Sequence, residues 1–371
     1  MKRTSEGPGE PSQAGAWGAR TPGGTPNGFL AEVRDAVTLR AAVLVIGVLA
    51  LQLAFVTSYI GAFHAPEPRE VPLAVVAPSD RLARDTVREL AALPGDPLAP
   101  RVVADEASAR RQIQNREIDG ALILDPGTTT DRLLVAGASG ASLADALGGV
   151  VGSAEQSRGR SLEVTDIVPN APGDARGLSS FYLVIGWCVG GYLCAAILAI
   201  SAGARPANVH RALIRLGALL LYSIAAGLLG AVIAGPVLDA LPGGIAPLWG
   251  LGTLLVFTVG VLTLALQGLL GIVGIGLAIL VVVVLGNPSA GGAYPWPMLP
   301  PFWSAIGPAL PPGAGTFAAR SISYFQERAL GGSLLVLAAW AAGGTLVTLV
   351  CAHKRPAPAP APTASGPGIP G

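Results

Sequence analysis

Residues 248–286 read LWGLGTLLVFTVGVLTLALQGLLGIVGIGLAILVVVVLG, with no charged side chain anywhere. A helix on a protein surface in water keeps a polar face, so a run apolar on every side belongs in lipid or inside a helix bundle. The stretch reads as two crossings, 248–267 and 268–286, joined by a tight turn near Gln267-Gly268. One long tilted helix is the alternative, and it would make the number of crossings odd. Four other runs share the character: 41–63, 181–204, 213–237 and 330–352. At about 1.5 Å per residue, runs of this length cross a hydrocarbon core of about 30 Å. The expected fold is an α-helical polytopic membrane protein with about six transmembrane helices and an α/β extracytoplasmic domain inserted between helices 1 and 2.

Composition agrees. Of 371 residues, 51% are hydrophobic, only 13% are charged and 50 are glycine. Soluble domains carry about a quarter of their residues as charges. Between Arg215 and Arg320 the only charged residue is Asp239. No basic groove or aromatic-basic alternation is present, which argues against a nucleic-acid partner. Cys188, Cys194 and Cys351 all lie in apolar runs. No disulfide framework is therefore available to the inserted domain, which is expected to hold itself with its own core.

Five regions follow. Residues 1–28 are rich in Gly, Pro, Ser and Thr and read as a disordered cytoplasmic tail. Residues 29–63 form an interfacial segment and transmembrane helix 1, read as an uncleaved anchor because its apolar region and its leader are too long for a signal peptide. Residues 64–178 are the α/β domain, and 179–353 a five-helix transmembrane domain with a re-entrant outer loop at 287–329. Residues 354–371 are a disordered Pro/Ala tail. Basic residues flank the start of span one (Arg34, Arg40), the link between spans two and three (Arg205, Arg211, Arg215) and the end of span six (Lys354, Arg355). Six crossings put these on one side, which the positive-inside rule makes cytoplasmic. That implies a multi-pass protein of the plasma membrane with both termini inside, surrounded by membrane lipids.

Within 64–178, apolar runs at 71–77, 101–104, 121–124, 132–136 and 162–168 read as strands, and 81–93, 106–115 and 142–157 as helices. Asp105 is a candidate N-cap for the second helix.

The missing chemistry is informative. A phosphate-binding loop needs a lysine behind a Gly-rich turn, and the only lysines are Lys2 and Lys354, neither in such a context. There is no His-Glu-x-x-His, no Gly-x-Ser-x-Gly and no Cys/His cluster. No enzymatic activity, cofactor or metal is expected. The spans hold no Asp, Glu or Lys, the residues on which ion-coupled carriers rely. Secondary transport is therefore the weaker alternative.

Several features could carry function. Gly186, Gly190, Gly268, Gly271 and Gly274 recur at spacings that suit close helix packing, either at a dimer seam or translocation path or within one subunit. Before span one, Phe29 and Val33 share a helical face with Leu30 and Val37. That helix either lies on the cytoplasmic interface or extends span one. The link holding Arg205, His210, Arg211 and Arg215 is a grip for a cytoplasmic partner or an ordinary basic loop. The outer loop, with Tyr294, Pro301, Phe302, Trp303 and Arg320, is too apolar for a free loop and too Pro-broken to cross. Short half-helices dipping into the outer leaflet fit it, with Trp296, Trp303 and Tyr324 at headgroup level.

Three passages give a resemblance. One is Tyr59-Ile60-Gly61-Ala62-Phe63-His64-Ala65-Pro66 with the following Val71-Pro72-Leu73-Ala74-Val75-Val76. Another is Ile118-Asp119-Gly120-Ala121-Leu122-Ile123-Leu124, and the third is the Gly/Pro/aromatic outer loop. With one span, an external domain and five more spans, the chain over about 29–353 resembles the ABC-2-type transporter permeases, especially the YhgE/Pip-like branch. The resemblance implies a membrane subunit that forms a homodimer, or a heterodimer with a related permease, and docks on a separate ABC ATPase subunit. It implies export of lipids, drugs, glycans or peptides. It makes Phe29, Val33, Arg205, His210, Arg211 and Arg215 the ATPase-contacting residues. The rival reading is a non-transporting membrane scaffold or surface receptor whose external domain binds a partner. The inserted domain is larger than in simple ABC-2 exporters.

Overall fold

The structure, a computed structural model, describes residues 38–203 and 206–354. Among the described residues, five helices are long and apolar enough to cross a membrane, and an α/β sheet domain is inserted after the first of them. The chain divides into two compact units, Met1–Ala50 and Leu51–Gly371, with the division falling inside α1 (Leu39–Phe63).

After α1 the chain forms β1 (Val71–Val76), α2 (Asp80–Ala91), β2 (Leu98–Val102), α3 (Glu106–Gln114), β3 (Gly120–Ile123), β4 (Thr130–Val135), α4 (Ala141–Ser157) and β5 (Ser161–Asp166). The sheet order is β2-β1-β3-β4-β5; β1 runs parallel to β2 and β3, β4 runs antiparallel to β3, and β5 parallel to β4. All four residues of the central β3 are buried, as expected for a strand covered on both faces. The expected elements are all present with small boundary shifts. Asp105 caps α3 as expected, its Oδ1 accepting from the Ser108 N–H at 2.6 Å.

Each face of the sheet has its own core. Val71, Leu73, Leu90, Leu122, Leu133, Leu143 and Leu147 form one, toward α2 and α4. Ala74, Val76, Ala109, Ile113, Ala121 and Leu134 form the other, toward α3. Neither core is built from 64–178 alone. Met298 of the outer loop, 5% exposed, joins the first, and Phe325, 3% exposed, joins the second. The backbone N–H of Arg69 also donates to Pro297 O at 2.8 Å. The α/β domain and the outer loop are therefore one packed body.

The helical part contains α5 (Ser179–Ala202), α6 (Val209–Val232), α7 (Ile245–Leu270), α8 (Val273–Ile279), α9 (Pro301–Ile306), α10 (Pro311–Tyr324) and α11 (Leu330–His353). α6 and α8 each run on into wider π-helical turns, to Val237 and to Leu285. α7 is the central helix, and its near-total lack of polar residues follows from burial among neighbours. Leu248, Leu255 and Val259 of α7 pack with Val184 and Trp187 of α5, Val282 in the π-helical turns after α8, Ala314 and Ala318 of α10, and Leu337 of α11.

The count of about six full crossings needs correction. The run 248–286 does break in two, but at Gly271, not at Gln267-Gly268. Gly271 adopts φ 67°, a left-handed conformation that glycine enters without a Cβ clash. The returning helix, Val273–Leu285, is short, about 20 Å at 1.5 Å per residue. It still brings the chain back to the last turns of α1, just before the α/β domain, where the Asn287 amide donates to the Tyr59 hydroxyl at 3.1 Å. At the opposite end of the bundle, a Cβ on Gly268 would lie 3.2 Å from Cys351 Cβ, and Gln267 Nε2 donates to Ala195 O at 3.4 Å. The loop before α7 sits at the α/β end, where Gly243 abuts the Ile322 carbonyl.

Candidate functional site

The outer loop forms a broken hairpin of α9 and α10. Pro301 and Pro311 each stand at the first position of a helix, where a missing N–H removes no hydrogen bond. α10 is buried along nearly its whole length. The hairpin reaches well down the bundle: Trp340, ten residues into α11, donates its indole N–H to Ala309 O at 2.8 Å. Close to its other end, Phe325 enters the sheet core.

Three side chains fasten this hairpin. Arg116, just after α3 and at φ 61°, donates through Nη1 to Phe317 O and to Ser321 Oγ, both at 2.8 Å. Its guanidinium covers the Phe317 ring at 3.5 Å from the centroid. Arg320, on α10, donates through Nη1 to Gly291 O at 2.6 Å and through Nη2 to Gly292 O at 2.8 Å and Gly177 O at 3.2 Å. Asp174 accepts the Tyr324 hydroxyl on Oδ2 at 2.7 Å and the Ser179 N–H on Oδ1 at 2.8 Å. A carboxylate at the first N–H groups of α5 suits the positive end of that helix. The α/β domain, α5 and the hairpin thus meet at one buried polar junction.

Asp119 lies beside Arg116 at this junction. Burial raises its carboxyl to about 6, and the Arg116 charge offsets only part of that rise. Burial, with the like charge of Arg320, lowers Arg116 to about 9.

The predicted loop residues do not form one cluster. Arg320 is at the junction, whereas Tyr294 packs against Phe63 with ring centroids 5.7 Å apart. Pro301 and Phe302 are exposed, and Trp303 is edge-on to Phe302 at 5.0 Å. Trp296 and Tyr324 are half-buried and hydrogen-bonded to the protein. Trp296 donates to Ser289 O at 3.0 Å and stacks on Phe317 with centroids 5.5 Å apart. Arg116, Asp119, Asp174 and Tyr324 were not singled out from sequence as a site.

Of the proposed partner-contact residues, Phe29, Val33 and Arg205 lie outside the described residues. His210 and Arg211 are exposed in the first turn of α6. Arg215 is not part of a free loop. It lies in α6, is 5% exposed, and donates through Nη2 to Gly203 O at 2.7 Å. That bond places a cation at the C-terminal end of α5, where the helix dipole favours it.

The packing glycines differ among themselves. A Cβ on Gly190 would meet Tyr222 Oη at 2.9 Å, and one on Gly274 would meet the Leu266 carbonyl at 2.3 Å. Nothing lies within 4 Å of the Gly186 position. Gly191, which the sequence pattern missed, allows α5 to approach α7 until its Cβ position is 2.7 Å from Val256 O.

Among the described residues, no group of three or more His, Cys, Asp or Glu side chains is arranged to hold a metal, and all three cysteines are free. No protein-family description matches the chain, and no curated protein matches it.

Proposed function

We propose that the chain is an ABC-2-like permease subunit of an exporter, energised by a separate ATP-binding-cassette ATPase. The observation that carries this reading is the short α8 with its π-helical end, followed by the Pro-broken α9–α10 hairpin that packs against α11. Non-helical backbone at membrane depth is tolerated where it is buried in protein or lines a cavity, and discontinuous helices recur at transport pathways. The Trp340–Ala309 hydrogen bond at 2.8 Å puts such backbone partway down α11. The five long helices carry no Asp, Glu or Lys, which favours a drive supplied from outside the bundle.

In this reading the end of the bundle bearing His210, Arg211 and Lys354 faces the cytoplasm, and the α/β domain faces outward from the plasma membrane. The ATPase docks at the α5–α6 connection and at the segment containing Phe29 and Val33. A second permease, identical or related, completes the exporter. Mass spectrometry of the complex purified from native membranes tests the proposal. It should recover an ATP-binding-cassette ATPase, lost when His210 and Arg211 are both replaced by Glu. Recovery of the chain with external partners and no ATPase would favour the scaffold or receptor reading instead.

A further inference from the structure

A partly open cavity of about 230 Å³ lies at the junction, lined by Arg116, Asp119, Ser139, Trp296, Phe317 and Arg320 among others. Its aromatic part is a stack: Trp296 and Phe317 are 4° from coplanar, and the Arg116 guanidinium lies on the Phe317 ring. Its polar part is unbalanced. Two guanidinium groups face one carboxylate, and Ser139 adds a hydroxyl.

Arg320 makes the imbalance specific. It is 4% exposed, and both terminal nitrogens donate to backbone carbonyls. Its Nε is buried without a partner. Buried donors of this kind nearly always find an acceptor, and leaving one unmade is costly. The three carbonyls that Arg320 does bind carry no net charge, so its cation is not neutralised by them. The carboxylate acting on Arg320, Asp174, is already bonded to the Tyr324 hydroxyl and the Ser179 N–H, so an anion in the cavity would supply the missing acceptor and offset the second guanidinium on its lining. The planar guanidinium fork matches phosphate and carboxylate oxygens, and the aromatic wall can cover an apolar substituent.

Position narrows the choice to phosphate. Arg320 sits one turn before the residues of α10 that pack at Gly243, just ahead of α7, and α11 begins ten residues later. That is the α/β end of the membrane-crossing helices, the depth at which phosphodiester groups of lipids are concentrated. We propose that this cavity is a binding site for a phosphate-class anion, held between Arg116 and Arg320 and restrained by Asp119. Its occupancy would fasten the hairpin to the α/β domain, and the site does not depend on the transport reading.

Thermal unfolding of the full-length chain in neutral detergent tests it, titrated separately with inorganic phosphate and with short-chain phosphatidylglycerol. At least one probe should raise the midpoint saturably. Arg320→Gln or Arg116→Gln should weaken its binding about ten- to a hundredfold, as for loss of a hydrogen bond to a charged group. Asp119→Asn should tighten binding, a gain that poor folding cannot mimic. A response to phosphate alone identifies a free phosphate or phosphomonoester ligand, and a response to the lipid alone identifies a headgroup. No shift with either probe, or Asp119→Asn binding no tighter than wild type, overturns the proposal. No ATPase takes part, so failure here leaves the permease reading untouched, and the converse holds.

Discussion

The indole N–H of Trp340 and the carbonyl of Ala309 are 2.8 Å apart, which pins the α9–α10 connection to α11 ten residues from the start of that helix. A residue in a Pro-broken loop is thereby held beside the interior of a membrane-length helix. Trp340→Phe keeps most of the ring and removes the donor. It is expected to cost about 1 kcal/mol of stability and to speed hydrogen exchange in 301–316. Unchanged exchange there would mean the bond does not hold the hairpin.

Arg116 joins the α/β domain to α10 through two hydrogen bonds and a ring contact. Arg116→Met should lower stability by about 2–4 kcal/mol and release α10 before α7 unfolds. Arg101→Met removes only an exposed bond to Gln112, and its effect should stay within about 0.5 kcal/mol. Thermal unfolding of both variants in the same detergent checks the contrast.

Phe325 and Met298 complete the two cores of the sheet domain. Phe325→Ala is expected to cost about 3–5 kcal/mol. Residues 64–178 expressed alone should be digested by protease faster than the same residues in the whole chain. Equal resistance would show that the domain closes without the loop.

The glycines give a graded series. Gly186→Ala should leave folding yield unchanged, since its Cβ enters open space. Gly191→Val should abolish it, because α5 would have to withdraw from Val256. Size-exclusion profiles of the purified variants report the difference.

Asp119 supplies a pH dependence. Its carboxyl is raised to about 6 by burial, against about 4 in an unfolded chain. Between those values the folded chain binds more protons than the unfolded one, so this contribution to stability is greatest at low pH and is lost as pH rises through about 6. Asp119→Asn cannot ionise. It should flatten the fall of the unfolding midpoint between about pH 4 and pH 6, and parallel curves for the two proteins would contradict the assignment.

The α/β domain was legible in the sequence because each element carries its own signal. The Val71–Val76 run, the Asp105 cap and the apolar face of α2 are local patterns. The junction was not legible. Arg116 and Phe317 are 201 residues apart, and Asp174 and Tyr324 are 150 apart, so no window of sequence joins them. The break in 248–286 was expected, but its place was missed. Gly268 and Gly271 both offer flexibility, and only the packing of Gly274 on Leu266 decides between them. Arg215 reads as loop because it is basic and near a helix start, whereas its length lets it bond the end of α5 from within α6.

The most direct test reconstitutes the purified chain in liposomes, alone and with the ATPase recovered alongside it, and measures substrate efflux with and without ATP. Flux should need both the partner and ATP, and should fall in Pro301→Ala or Trp303→Ala chains that still insert normally. Directional flux from the chain alone, driven by an ion gradient with no nucleotide present, would contradict an externally powered permease.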